Sequence, residues 1–347
     1  MTMFYYVIPL TIWYFYVAAN FLKKRVKERI AGVFFLPLVF IVGFRGDVGT
    51  DTANYIQEFG WKVVGANRPF GEFEPGFEFI AFLLGSIIAN ERFVVNSISV
   101  INAGLFFLVI KRWGGSQLVA AACLVPCFFF DFTMNGLRIG SAFPLCVISA
   151  IFFKKENYLA SFFLLIAAVS CQMTAIFLFP LLIIDEIAKN ISIKNFAVGL
   201  LSGLFMGFIF YEIFSERVLV KFALYEVAES PGGLSGGVPI LISLFLAAPF
   251  VMQINLIKRP LQFFALQIIL FQVTSISYAG IRLQLLSLFA QILFTQKEIV
   301  KLHFWNKMAQ LYCLLIFIFC VAWKIRAYIT EGDDGQSPFL PYHIFLI

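Results

Sequence analysis

The chain has 347 residues, of which 61% are hydrophobic and only 13% charged, about half the share of charge in an ordinary soluble domain. With 45 phenylalanines, that composition excludes a sizeable soluble enzyme domain and points to a protein whose solvent is mostly lipid. The net charge of +6 does not indicate a nucleic-acid partner, because the basic residues fall in short clusters between apolar runs, as cytoplasmic loops do.

A span needs about 20 apolar residues. Runs of roughly that kind fall at 3–21, 30–44, 93–110, 117–131, 138–153, 157–170, 171–185, 195–214, 238–256, 261–278, 280–296 and 308–325. The pair around Ser170 also reads as a broken or re-entrant element, and the run 76–89 is ambiguous. The cluster Lys23, Lys24, Arg25, Lys27 and Arg29 belongs in the cytoplasm, which places the N-terminus and the segment Arg45–Gly76 outside. If 76–89 lies along the interface or re-enters, the later clusters at Lys111–Arg112, Lys154–Lys155, Lys189–Lys194, Lys258–Arg259 and Lys297–Lys307 all fall inside. If it crossed, all of them would flip outward. The expectation is therefore an all-α polytopic membrane protein. It has about 12 transmembrane helices, an interfacial or re-entrant helix near 76–89, both termini outside, and one membrane-embedded domain over 1–347. The apolar run begins at Met3 without a basic segment before it, so no cleavable signal is expected.

The most polar stretch beside a span is FRGDVGTDTANYIQEF, Phe44 to Phe59. Gly46 and Gly49 permit a tight loop. Thr50 or Asp51 can cap a short helix with Tyr55, Ile56 and Phe59 on its apolar side and Gly60 ending it. Asp47 and Asp51 are acceptors near Arg45 and candidates for a general base or a binder of sugar hydroxyls.

Three arginines stand at outward ends of spans: Arg45, Arg138 in FTMNGLRIGSAF, and Arg282 in SYAGIRLQLLSL. One arginine at such a place is readily explained by reaching for the headgroups. Three on one face, each with polar neighbours, describe an electropositive pocket. Asn135 precedes Arg138 by three residues, and Tyr278 precedes Arg282 by four. Guanidinium groups grip phosphate oxygens through paired hydrogen bonds, so the pocket suits a pyrophosphate or another anion at the outer leaflet.

The six cysteines, Cys123, Cys127, Cys146, Cys171, Cys313 and Cys320, read as small core hydrophobes. No metal or cofactor is expected. His303 and His343 accompany no nucleophile.

Taken in order, these pieces resemble the EpsG/Wzy-type polysaccharide polymerases of O-antigen, lipopolysaccharide, capsule and exopolysaccharide synthesis. FRGDVGTDTANYIQEF is similar to that family's Arg…Gly-Thr-Asp…Asn-Tyr…Phe pattern. EPGFEFIAFLLG is similar to its Glu-Pro-Gly-aromatic segment, and MNGLRIGSAFPL and GIRLQLLSLF are similar to its two later arginine segments. Where the family often has a histidine, this chain reads SCQMTAIFLF with Gln172, which can orient a hydroxyl but not carry a proton.

The resemblance implies a membrane glycosyltransferase of the bacterial cytoplasmic membrane, its active site facing outward. Its substrate is an oligosaccharide repeat unit on undecaprenyl pyrophosphate, and a chain-length regulator protein is the expected partner. In that reading Asp47, Asp51, Arg138 and Arg282 are catalytic. Arg45, Tyr55, Glu74, Asn135, Gln172 and Tyr278 bind substrate. A flippase or polysaccharide transporter is one alternative, and a ligase of the same pathway is another.

Overall fold

The computed structural model describes residues 3–23, 28–49, 51–63, 73–190, 234–274, 279–302 and 305–330, together with Phe339 and Tyr342. Helices dominate, and there is no strand among the described residues. In chain order they are α1 (Phe4–Lys23), α2 (Glu28–Gly43), α3 (Thr52–Val63), α4 (Pro75–Ile87), α5 (Glu91–Trp113) and α6 (Gln117–Asn135). Then come α7 (Leu137–Lys154), α8 (Tyr158–Cys171), α9 (Ala175–Asn190), α10 (Leu234–Ala247), α11 (Ile254–Thr274), α12 (Ala279–Glu298) and α13 (Trp305–Thr330).

Among the described residues, α5, α6, α7, most of α11 and most of α13 are long and apolar enough to cross a membrane. Shorter apolar helices lie at Ile30–Gly43, Pro75–Ile87, Tyr158–Cys171, Ala175–Ile184 and Gly236–Phe250. Large apolar side chains such as Phe4, Phe15, Phe40, Phe163, Ile269 and Leu315 point away from the protein. In water that much exposed apolar surface is unfavourable, whereas lipid accepts it. The expected span at 195–214 lies outside the described residues.

The chain divides into two compact units, Met1–Phe179 with Ile292–Ile347, and Pro180–Gln291. In the first, α5 and α6 form the centre, and α6 is buried almost all round. Two π-turns interrupt α6, at Ala120–Leu124 and Asp131–Asn135. Asn90 caps α5 by accepting the N–H of Phe93 at 3.0 Å. The other end of α5 stops at Gly114 and Gly115, both with positive φ. There Trp113 Nε1 donates to Leu293 O at 2.7 Å, and Ser116 N donates to Gln296 O at 2.7 Å. Lys154 lies 4.0 Å over the Trp113 ring. This end therefore gathers the Lys111–Arg112 and Lys154–Lys155 clusters that the sequence assigns to the cytoplasm.

Both ends of α4 contact the opposite end of this unit. Glu74, just before α4, pairs with Arg138 at the start of α7, and Arg92, just after it, pairs with Asp47 beyond α2. The helix lies across that end. Gly76 in its first turn lies so close to α8 that a Cβ there would be 2.8 Å from Ser170 Cβ.

In the second unit, amide side chains fix the helix register. Gln284 Nε2 donates to Gly236 O and Gln291 Nε2 to Ser243 O, each at 3.0 Å and each across 48 residues. Equal separations one heptad apart mean that α10 and α12 run parallel. Gln267 Nε2 donates to Gln284 O at 3.0 Å and adds α11. Amides that bond across helices are a usual adhesive where lipid removes the hydrophobic drive for helix pairing.

Candidate active site

Arg45, Glu74, Asn96, Asn135 and Arg138 collect where α2, α6 and α8 end and where α4, α5 and α7 begin. The loop after α2 is tight: Gly49 has φ of +105°, and a Cβ there would lie 2.6 Å from Met134 O. Arg45 is fully buried, and its Nη1 donates to Val48 O at 3.3 Å and to Met134 O. Thr52 Oγ1 donates to Val48 O at 2.6 Å and reaches Met134 O at 3.4 Å. Asn135 Oδ1 accepts the N–H of Asp51 at 3.2 Å. The segment Arg45–Thr52 is thus laced to the last turn of α6, whose final carbonyls have no partner within the helix.

The sequence places Asp47 and Asp51 as acceptors for Arg45. The structure corrects this for Asp47: its carboxylate is exposed and pairs with Arg92. The hydrogen bonds of Arg45 Nη1 go to carbonyls, and the negative end of the α6 dipole answers part of its charge. Burial pushes the Arg45 pKa down to about 10, with the phenols of Tyr55, Tyr6 and Tyr342 pulling it back up, so it stays cationic at neutral pH.

The capped helix is also longer than expected. α3 continues through Gly60 to Val63, held by Tyr55 and Phe59, which are buried against Phe73 and Phe77.

Arg138 and Glu74 form the central ion pair. Nη1 of Arg138 lies 2.9 Å from Oε2 of Glu74, whose side chain is 2% exposed while that of Arg138 is 20% exposed. The guanidinium also sits 5.0 Å from the centre of the Phe73 ring. Phe73 N donates to Oε1 of the buried Glu78 at 3.0 Å, which fixes the approach to α4. Burial raises the Tyr55 phenol pKa, and the neighbouring Arg138 guanidinium pulls the other way. The result is a buried carboxylate paired with a partly exposed guanidinium, backed by a phenol and aromatic rings.

Gln172 follows α8 and is buried, its Oε1 lacking a hydrogen-bond partner among the described residues, and Glu74 lies close to its neighbour Cys171. Of the three arginines at span ends, Arg45 and Arg138 lie in the first unit, and Arg282 is partly buried in the first turn of α12, in the second unit. Tyr278, His303 and His343 lie outside the described residues. All six cysteines are buried as free thiols, and no group of metal-ligating side chains occurs among the described residues.

Four residues that matter here were not read from the sequence. Arg92 stands at a helix start just as Arg138 does, and that signal was available. Asn96 and Asn102 are buried amides in an apolar run. Asn96 Nδ2 donates to Arg45 O at 3.3 Å, and Asn102 Nδ2 donates to Phe132 O at 3.1 Å and Leu137 O at 2.8 Å. Lys324, a lone lysine in the apolar α13, pairs with Asp131 of α6.

These features define a helical membrane protein with a polar, ion-paired site at one end of its bundle. The model of the EpsG family matches residues 28–344, and the chain belongs to that family. No curated protein and no solved structure matches it.

Proposed function

We propose that the protein is a membrane glycosyltransferase that polymerises lipid-linked oligosaccharide repeat units on the outer face of the bacterial cytoplasmic membrane. The growing chain leaves undecaprenyl pyrophosphate and is joined to the terminal sugar of a new repeat unit. In this proposal the chain crosses the membrane about twelve times with the site end outward, and a chain-length regulator is its partner. Family membership supports polysaccharide synthesis.

The observation that carries the reading is the Arg138–Glu74 pair at 2.9 Å. Departure of a lipid pyrophosphate needs positive charge, and attack by a sugar hydroxyl needs a base. In this proposal the incoming pyrophosphate takes Arg138 from Glu74. The freed carboxylate then accepts the proton of the attacking hydroxyl. Arg45, being fully buried, sets the loop and does not touch substrate. Asp47 and Asp51 remain candidate hydroxyl acceptors at the mouth. Asn135, Tyr55 and Gln172 line or support the sugar site.

The charged pair within the apolar helices does not favour the transporter reading. Asp131 is four residues from the end of α6 and Lys324 six from the end of α13, so both lie within roughly 10 Å of the helix ends rather than at mid-span.

The test is surface polysaccharide length, read as a gel ladder in cells whose only copy carries Arg138→Ala or Glu74→Gln, with membrane levels checked. Single repeat units with the protein present support the polymerase. Full ladders from both variants remove the pair from the chemistry, and loss of even single units moves the reading to a flippase or ligase.

A further inference from the structure

Two basic side chains converge on the end of α6. Arg45 reaches the Met134 carbonyl from the loop after α2, and Lys324 reaches the Asp131 carboxylate from α13. Lys324 is only 8% exposed, in a helix apolar enough to cross a membrane, and its ammonium also lies 4.5 Å from the Trp323 ring centre. A charge at such a place is costly unless paired.

The partner is informative. Asp131 is the first residue of the π-turn Asp131–Asn135. Its own carbonyl accepts the N–H of Gly136 at 2.7 Å, the bond across five residues that closes the turn. Every following residue is then tied down. Phe132 O accepts from Asn102 at 3.1 Å, and Thr133 Oγ1 donates to Phe129 O at 2.7 Å. Met134 O takes Arg45 and Thr52, and Asn135 takes the N–H of Asp51. Gly136 leads directly into Arg138.

A π-turn holds one residue more than an α-turn. Were it to relax to α geometry, everything after it would rotate by about 100° about the helix axis, which is one residue's share of a turn. That rotation would carry Arg138 away from Glu74. Hydrogen bonds, one of them from the Arg45 guanidinium, and one ion pair hold the π register, and the ion pair engages its first residue.

We infer that Lys324 and Asp131 form a positioning pair for the reaction: they hold the terminal π-turn of α6 in the register that delivers Arg138 to Glu74. The inference rests on the polymerase reading of that site. Neither residue touches substrate. Lys324 acts through Asp131, and Asp131 through the turn.

The experiment combines hydrogen exchange of the purified full chain with the polysaccharide ladder for Lys324→Met, Lys324→Arg, the exchanged pair Asp131→Lys with Lys324→Asp, and Arg138→Ala. In Lys324→Met the segments containing Asp51 and Gly136 are expected to exchange about tenfold faster, while Ser116 at the other end of the unit is unchanged. The ladder shortens, and Lys324→Arg restores both readouts. Unchanged exchange at the π-turn overturns the inference, as does equal acceleration at Ser116, which would mark a general loss of stability. A full-length ladder beside local acceleration overturns it too. If Lys324→Met does not accumulate, the exchanged pair decides: recovery of exchange and ladder supports the inference, and failure of either sinks it. A full ladder in Arg138→Ala would instead overturn the reading of the site, and the exchange data would still decide what the pair does to the turn.

Discussion

Arg45 donates through Nη1 to the backbone carbonyl of Met134, 89 residues further along the chain. This bond joins the most polar loop described in the first unit to the end of its most buried helix. Replacing Arg45 by Ala leaves the Val48 and Met134 carbonyls short of a donor inside the protein. The expected cost is about 2–4 kcal/mol, read as a lower unfolding temperature of the purified protein. Arg45→Lys recovers part of it, because one ammonium can still reach a carbonyl. An unchanged unfolding temperature in Arg45→Ala would mean that the loop is held by Thr52 and Asn135 alone.

Glu74→Gln keeps the shape of the side chain and removes its charge. Arg138 then faces a neutral amide in place of the carboxylate 2.9 Å away, while remaining partly exposed. The expected outcome is a folded protein whose polymerisation rate falls by about 10²–10⁴-fold, the range usual for losing a general base. Initial rates on a defined lipid-linked repeat unit give the comparison. A rate within threefold or so of the parent would assign the base elsewhere, with Asp51 next in line.

Gly140 allows α7 to fold back on α6. A Cβ there would lie 2.6 Å from Asn102 Nδ2 and would overlap Phe132 O. Gly140→Ala must therefore displace the Asn102 amide, which ties Phe132 O and Leu137 O and accepts from Ser141 Oγ at 2.7 Å. The loss should reach about 3 kcal/mol or more, measured by denaturation in detergent. A neutral Gly140→Ala would contradict the close approach.

Gly76 and Ser170 make a second such contact. Gly76→Ala should shift α4 and weaken the Glu74–Arg138 pair, shortening the ladder. Adding Ser170→Gly removes both Oγ and Cβ from the space the new methyl needs. The double variant should regain length that the single variant loses. Additive losses would show that the two positions are independent.

The apolar spans were legible because lipid permits few other solutions. A backbone that crosses it must satisfy its own hydrogen bonds, so a long apolar run is almost always a helix. The expected runs 93–110 and 138–153 correspond to α5 and α7 with ends shifted by only a few residues. The π-turns of α6 were not legible, since their residues are those of any apolar helix and only the register differs. Nor was the length of α3, because packing of Tyr55 and Phe59 on Phe73 and Phe77 carries the helix past Gly60. At the site, nearness in sequence misdirected the pairing. Asp47 stands two residues from Arg45 but pairs with Arg92, 45 residues away. Arg138 was legible as a polar residue at a span start. Its partner Glu74 was legible as a substrate-binding candidate in the Glu-Pro-Gly segment, but not as the residue that pairs with Arg138 across 64 positions.

The most direct measurement uses the purified protein in lipid vesicles supplied with lipid-linked repeat units and no nucleotide sugar. The account predicts products of two and more repeat units on one lipid, released lipid pyrophosphate, and loss of both with Arg138→Ala. Repeat units that cross the bilayer without being joined, or that remain single while the protein is folded, would contradict it.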